Sequence, residues 1–114
     1  MFEHITKKDV LALNQQFSHG TIVNEGSLSF ALFQANKTTS WLRACALLVR
    51  AVLIDHTFED GNKRTSAAII VTFFEERKVH YKPEDISKII ITMVTKNITK
   101  LNDIEREIKN VIIP

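Results

Sequence analysis

A single cysteine, Cys45, rules out an internal disulfide and fits a reducing compartment. Glycine occurs only three times and proline twice, so little in the chain interrupts helices, although many β-branched residues keep propensity alone from choosing the class. No apolar run approaches the roughly 18–20 residues of a membrane span. The opening stretch MFEHITKKDV has no apolar leader segment. Charge of either sign is not in large excess: the net is +2 and the pI about 8.8, short of a dedicated nucleic-acid binder. There are no repeats, linkers or low-complexity tracts. These absences lead us to expect one cytosolic domain spanning residues 1–114, with neither a membrane partner nor specific nucleic-acid binding. The 114 residues, 45% hydrophobic and 25% charged, suffice for a proper core.

Periodicity then decides the class. Thr6 with Asp9 forms a capping-box pattern, and Val10, Leu13 and Phe17 follow at helical spacing, predicting a helix over 7–18. SHGTIVNEGS reads as a loop in which TIV is extended. SLSFALFQA predicts a helix over 27–35 with Leu28, Ala31, Leu32 and Ala35 on one face. After a cap in TTS comes WLRACALLVRAVLID, apolar nearly all round and so a buried helix. RTSAAIIVTFFEER, over 64–77, reads the same way. KVHY is an extended link. Pro83 opens a further helix with Glu84 and Asp85 at its positive end and Ile86, Ile89, Ile90, Met93 and Val94 as its stripe. Asn102 with Glu105 predicts the cap of a last helix carrying Leu101, Ile104, Ile108, Val111 and Ile112. The expectation is an all-α bundle of about six helices, two of them central.

Between the two most apolar segments lies DHTFEDGNKRTS, residues 55–66, which is polar out of proportion to its neighbours. A helix beginning here presents N–H groups without intrahelical acceptors and a partial positive charge, the ingredients of a phosphate site. Gly61 lets backbone approach a ligand or takes a positive φ. Asn62 either holds the turn or donates to the ligand. Lys63 and Arg64 oppose the helix dipole, a conflict that an anionic ligand resolves. Asp60 suits a lone Mg²⁺ carboxylate beside phosphates. His56 carries an imidazole, a side chain type that can accept a proton from an attacking hydroxyl, and suits a general base. Phe58 suits a core anchor. Phosphoryl or nucleotidyl transfer needs these parts, because that chemistry is mostly positioning and charge stabilisation. The competing structural reading is a solvated connector in which Asp60 caps the helix and the cations face water. A P-loop is excluded by the missing second glycine and preceding strand.

The stretch His56-Thr-Phe58-Glu-Asp60-Gly61-Asn62-Lys63-Arg64 resembles the signature of the Fic/Doc family, His-x-Phe-x-Asp/Asn-Gly/Ala-Asn-Gly/Lys-Arg. Lysine before the arginine, the preceding NEGSLSFAL and the short chain resemble the death-on-curing branch. The resemblance implies an all-α fold in which His56 is the base, Asp60 the Mg²⁺ ligand, and Gly61, Asn62, Lys63 and Arg64 the phosphate-binding turn, with Phe58 as anchor. It also implies ATP as substrate, a target protein modified on a Ser or Thr hydroxyl, and a separate antitoxin. AMP-transferring members carry a second arginine where this chain has Ala67. Members of the death-on-curing branch lack it too and phosphorylate a translation factor, so the resemblance favours a toxin-type kinase over an AMP transferase. A non-catalytic helical binding module is the reading from outside enzymes. Thr21-x-x-x-Glu25-Gly26 fits the family's self-inhibitory pattern, but the arginine which that glutamate pairs with is the one replaced by Ala67.

The remaining polar residues read as structural. His4, His19 and His80, the run Glu75 to Lys78, and Lys88, Lys96, Lys100, Arg106 and Lys109 mark exposed faces. Cys45 and Trp41 read as packing residues.

Overall fold

The computed structural model describes residues 4–114; the first three residues of the stretch read above as free of a leader lie outside it. Six α-helices follow one another: α1 (Lys7–Gln15), α2 (Glu25–Lys37), α3 (Trp41–Val49), α4 (Asn62–Arg77), α5 (Pro83–Thr95) and α6 (Leu101–Asn110). A π-helical turn, Arg50–Ile54, extends α3. The protein is all-α, and among the described residues extended pairing is confined to two isolated antiparallel bridges, Ile22 with Phe58 and His80 with Ile113. No helix is long and apolar enough to cross a membrane among these residues.

Local chemistry accounts for most helix boundaries. Thr6 and Asp9 form the expected capping box, and Ser40 caps α3 by accepting from the Arg43 N–H. Pro83 stands at the start of α5 behind an extended Lys82. Several boundaries differ from the expectation; among them, the second helix runs on to Lys37 and the fourth starts at Asn62 rather than residue 64. The first helix stops at Gln15, because the Asn14 side chain accepts from the Gly20 N–H at 2.9 Å and draws the chain back. The second begins at Glu25 rather than residue 27, with Asn24 as its cap. The last is preceded by Lys100, which makes no side-chain cap; Asn102 lies inside the helix, with its side-chain oxygen 3.4 Å from the Arg43 guanidinium.

α3 is the centre of the molecule. Residues Ala44 to Val49 are all buried, and α3 packs against α2, α4 and α6. Its small residues Ala44, Cys45 and Ala46 admit close neighbours, while Leu47 and Leu48 fill the gaps. α4 supplies the second buried layer through Ile69, Ile70, Phe73 and Phe74. Trp41 meets Phe74 edge-on at 6.1 Å between ring centroids, with the Arg77 guanidinium over the indole. The stripes of α5 and α6 close the core, with Ile86, Ile90, Met93, Ile104 and Ile108 buried. Two stripe members are not core: Phe17 lies past the end of α1 at 38% exposure and Val94 on α5 at 42%. Asn36 ties the N-terminal segment down by exchanging two hydrogen bonds with the Ile5 backbone, at 2.7 and 2.8 Å.

Candidate active site

The loop 55–61 joins the π turn to α4 and is held from several directions. A π turn widens the helix by one residue per turn, an arrangement that recurs at functional sites. Here it ends the buried helix with Asp55, whose N–H donates to the Arg50 carbonyl at 3.0 Å. The Thr57 hydroxyl, fully buried, donates to the Ala51 carbonyl of that turn at 2.9 Å. On the other side the 21–24 segment lies alongside, and within it the expected extended piece, 21–23, bridges to Phe58 through Ile22. Val23 and Asn24 donate to the Thr57 carbonyl at 2.8 and 3.1 Å, and the Glu59 N–H donates to the Thr21 carbonyl at 2.9 Å. The Ser27 hydroxyl and Asn24 amide secure Asp55 at its side chain and carbonyl.

His56 stands between these anchors. Its neighbours Asp55 and Thr57 are both tied down, while its own side chain is exposed. Its backbone has φ 53°, in the left-handed region that non-glycine residues visit at a cost of about 1–3 kcal/mol. The surrounding bonds maintain that conformation and hold the imidazole at the surface. Phe58, two residues on, is only 1% exposed and roots the loop in the core as expected.

Gly61 precedes α4 as its N-cap residue with φ 79°, and it is restricted by space as well as by backbone. A Cβ there would come within 3.2 Å of the Asn14 amide nitrogen and 3.3 Å of the Ser18 Cβ. Glycine also brings no side chain to cap the helix, so the first turn of α4 has no side-chain cap. The Asn62 side chain is committed to the loop: its oxygen accepts from the Phe58 N–H at 3.1 Å and its amide donates to the Phe58 carbonyl at 2.8 Å. Of the two roles open to Asn62, the side chain takes the structural one. What remains for a ligand is its backbone N–H, next to those of Lys63 and Arg64. The Lys63 and Arg64 side chains are exposed and form no salt bridge among the described residues.

Asp60 does not cap α4. Its carboxylate accepts from the Ser18 hydroxyl at 3.2 Å and is otherwise exposed. Among the described residues no three His, Cys, Asp or Glu side chains come together as a metal site. A cation at Asp60 would therefore draw most of its ligands from water and phosphate oxygens, the manner in which Mg²⁺ is held beside nucleotides.

Six of the seven predicted residues, His56, Asp60, Gly61, Asn62, Lys63 and Arg64, line one cleft of about 570 Å³, and Phe58 lies beneath it. That volume falls in the range of small-molecule sites. The far wall comes from α5 and its end: Met93, Val94 and Asn97, with Phe17 at the α1 side. Asn97 takes φ 53° where α5 terminates, with the Ile98 N–H donating back to the Met93 carbonyl at 2.9 Å.

Asn14 is the residue that motif reasoning passed over. It is fully buried on α1, and its amide donates to the Asp60 carbonyl at 2.9 Å and the Thr65 hydroxyl at 3.0 Å. It thereby joins α1, the loop and α4 at one point. A signal was present in the sequence: Asn14 is four residues after Val10, on the face that the apolar stripe marks as buried. Ser66, next to Thr65, is also fully buried, and its hydroxyl has no hydrogen-bond partner among the described residues. Compared with family models, with curated proteins and with solved structures, the chain matches none.

Proposed function

We propose that the protein is a transferase that uses Mg-ATP to phosphorylate a Ser or Thr hydroxyl of a target protein. One observation carries the reading. A histidine, a carboxylate and two cations converge on a cleft at a helix start with no side-chain cap. The order of these residues resembles the Fic/Doc signature, and the reading follows the death-on-curing branch of that family.

The N–H groups of Asn62, Lys63 and Arg64 suit the phosphates of ATP, and the two side-chain cations offset their charge. Asp60 is the residue suited to hold Mg²⁺, which when bound supplies charge neutralisation of the phosphates. His56 accepts the proton of the target hydroxyl as that oxygen forms its bond to the γ-phosphorus. The bond from the γ-phosphorus to the bridging oxygen breaks, and ADP leaves with the electron pair. Because bonds on both sides restrain the histidine backbone, the base is positioned before substrate arrives. Ala67, half-buried one turn into α4, leaves no second arginine for the phosphates, which favours phosphate over AMP transfer.

Glu25 forms an ion pair with Lys7 of α1. With Ala67 in the arginine position, this favours restraint by a separate antitoxin over self-inhibition. The target class that the resemblance suggests is a translation factor.

Incubating the protein in cell extract with ATP labelled at either the α- or the γ-phosphate tests the reaction. Label is expected to transfer from the γ position only; transfer from α alone would make the enzyme an AMP transferase, and no transfer from either would favour a binding module. His56→Ala should abolish transfer, and retained activity would remove the histidine as base. Asp60→Ala should leave a low activity that no longer responds to Mg²⁺.

A further inference from the structure

A second cleft, of about 390 Å³, shares no lining residue with the first. It opens where α2, α3, the π turn and the start of α6 meet. Three cations surround it, Lys37, Arg43 and Arg50, and its lining contains no acid. Among the described residues Arg43 alone of the three is ion-paired, with Glu105 at 3.3 Å. The Lys37 ammonium lies over the Phe33 ring, 4.7 Å from its centre. Arg50 is half-buried, and no carboxylate pairs with it or with Lys37 among the described residues. A guanidinium partly withdrawn from water without an acid beside it is an unfavourable arrangement for the chain alone.

The adjoining surface is apolar. Phe30 borders the cleft at 55% exposure and Phe33, nearly one helical turn along α2, is 60% exposed. Leu47 and Leu101 contribute to its lining. Arginine and aromatic side chains are the types enriched where proteins meet.

We propose that this cleft and the adjoining face of α2 dock an acidic peptide segment of a partner protein that carries a large apolar side chain. Charge complementarity selects the acids: Arg50 and Arg43 present forked donors that match carboxylates, and Lys37 adds a point charge at the rim. Phe30 and Phe33 take the apolar side chain. A nucleic-acid strand is the poorer match, because it calls for a longer basic track with stacking platforms along it.

Panning a phage-displayed random dodecapeptide library on the full chain tests the proposal. Sequences rich in Asp and Glu around an aliphatic or aromatic residue are expected to be enriched. A fluorescein-labelled synthetic copy of the most enriched peptide should bind the unaltered chain and weaken with added salt. The double variant Phe30→Ser, Lys37→Glu should bind that peptide about tenfold or more weakly. Both of its altered side chains are exposed on α2, so the core is left untouched. Arg50→Glu should show a similar loss, with circular dichroism to verify its fold. His56→Ala should bind as the unaltered chain does, which separates this surface from the transfer reaction. Enrichment without acids, no enrichment, or equal binding by the α2 variant would overturn the proposal. So would binding of a single-stranded oligouridylate with the same loss in the variants and no peptide binding.

Discussion

Asn14 and Gly61 meet at one contact, and between them they set where α4 begins. The asparagine satisfies two groups across the α1–α4 junction and a third on its own loop. Asn14→Ala should therefore cost about 1–3 kcal/mol, since it strands buried polar partners as well as removing bonds. Gly61→Ala should cost about 1–2 kcal/mol from the left-handed backbone alone, with crowding against Asn14 in addition. Urea denaturation of the two variants measures both, and under the proposed function both should lose transfer activity because Asp60 and the helix start shift together. That the loop residues stand together was legible because cations at a helix start and a carboxylate beside a glycine differ in chemistry from the apolar segments on either side, and the structure places them on one cleft. Asn14 carried no such contrast, and its role depends on two partners 46 and 51 residues away.

At the scale of elements, the π turn decides how the central helix ends. Periodicity read residues 41–55 as a buried helix; residues 41–54 are helical and mostly buried, with Arg43 exposed, but an apolar pattern does not distinguish an α turn from a π turn where most faces are buried. The turn presents the Ala51 carbonyl to the Thr57 hydroxyl and so fixes the residue after His56. Thr57→Val keeps the shape and deletes the donor. It should destabilise the protein by roughly 1–2 kcal/mol, and under the proposed function it should lower kcat more than it changes KM for ATP, because His56 moves while the start of α4 stays. Steady-state kinetics with a denaturation curve separates the two effects. Equal losses in kcat and in phosphate binding would mean that the loop acts as one unit.

At the scale of the molecule, the core governs the chemistry of its one cysteine. Cys45 is fully buried in the centre of α3, and burial pushes its thiol well above the ordinary range. Native protein should resist iodoacetamide near neutral pH and react on unfolding, which intact-mass measurement follows. Below about pH 8.5 the thiol is protonated in both the folded and unfolded chain. Above it the unfolded chain releases a proton that the folded chain keeps. Stability should then fall by up to about 1.4 kcal/mol per pH unit from this group. Tyr81 acts in the same direction at higher pH, its hydroxyl donating to Glu75 at 2.5 Å, which raises its pKa. Melting temperatures of the unaltered chain and Cys45→Ala across alkaline pH check the sign: the variant's decline should be the shallower.

The sequence by itself determined the helices and the loop between the two central ones. Both follow from short-range physics: a repeat of apolar residues near every third or fourth position, capping residues such as Thr6 and Ser40, and the backbone freedom of Gly61. Only the tertiary structure decided which polar residues support the loop and which apolar residues leave the core. Asn14 and Thr57 are fully buried because distant segments close over them, and Phe17 and Val94 are left at a cleft because nothing does. Those outcomes depend on how separate helices meet, and no local pattern encodes the distance between them.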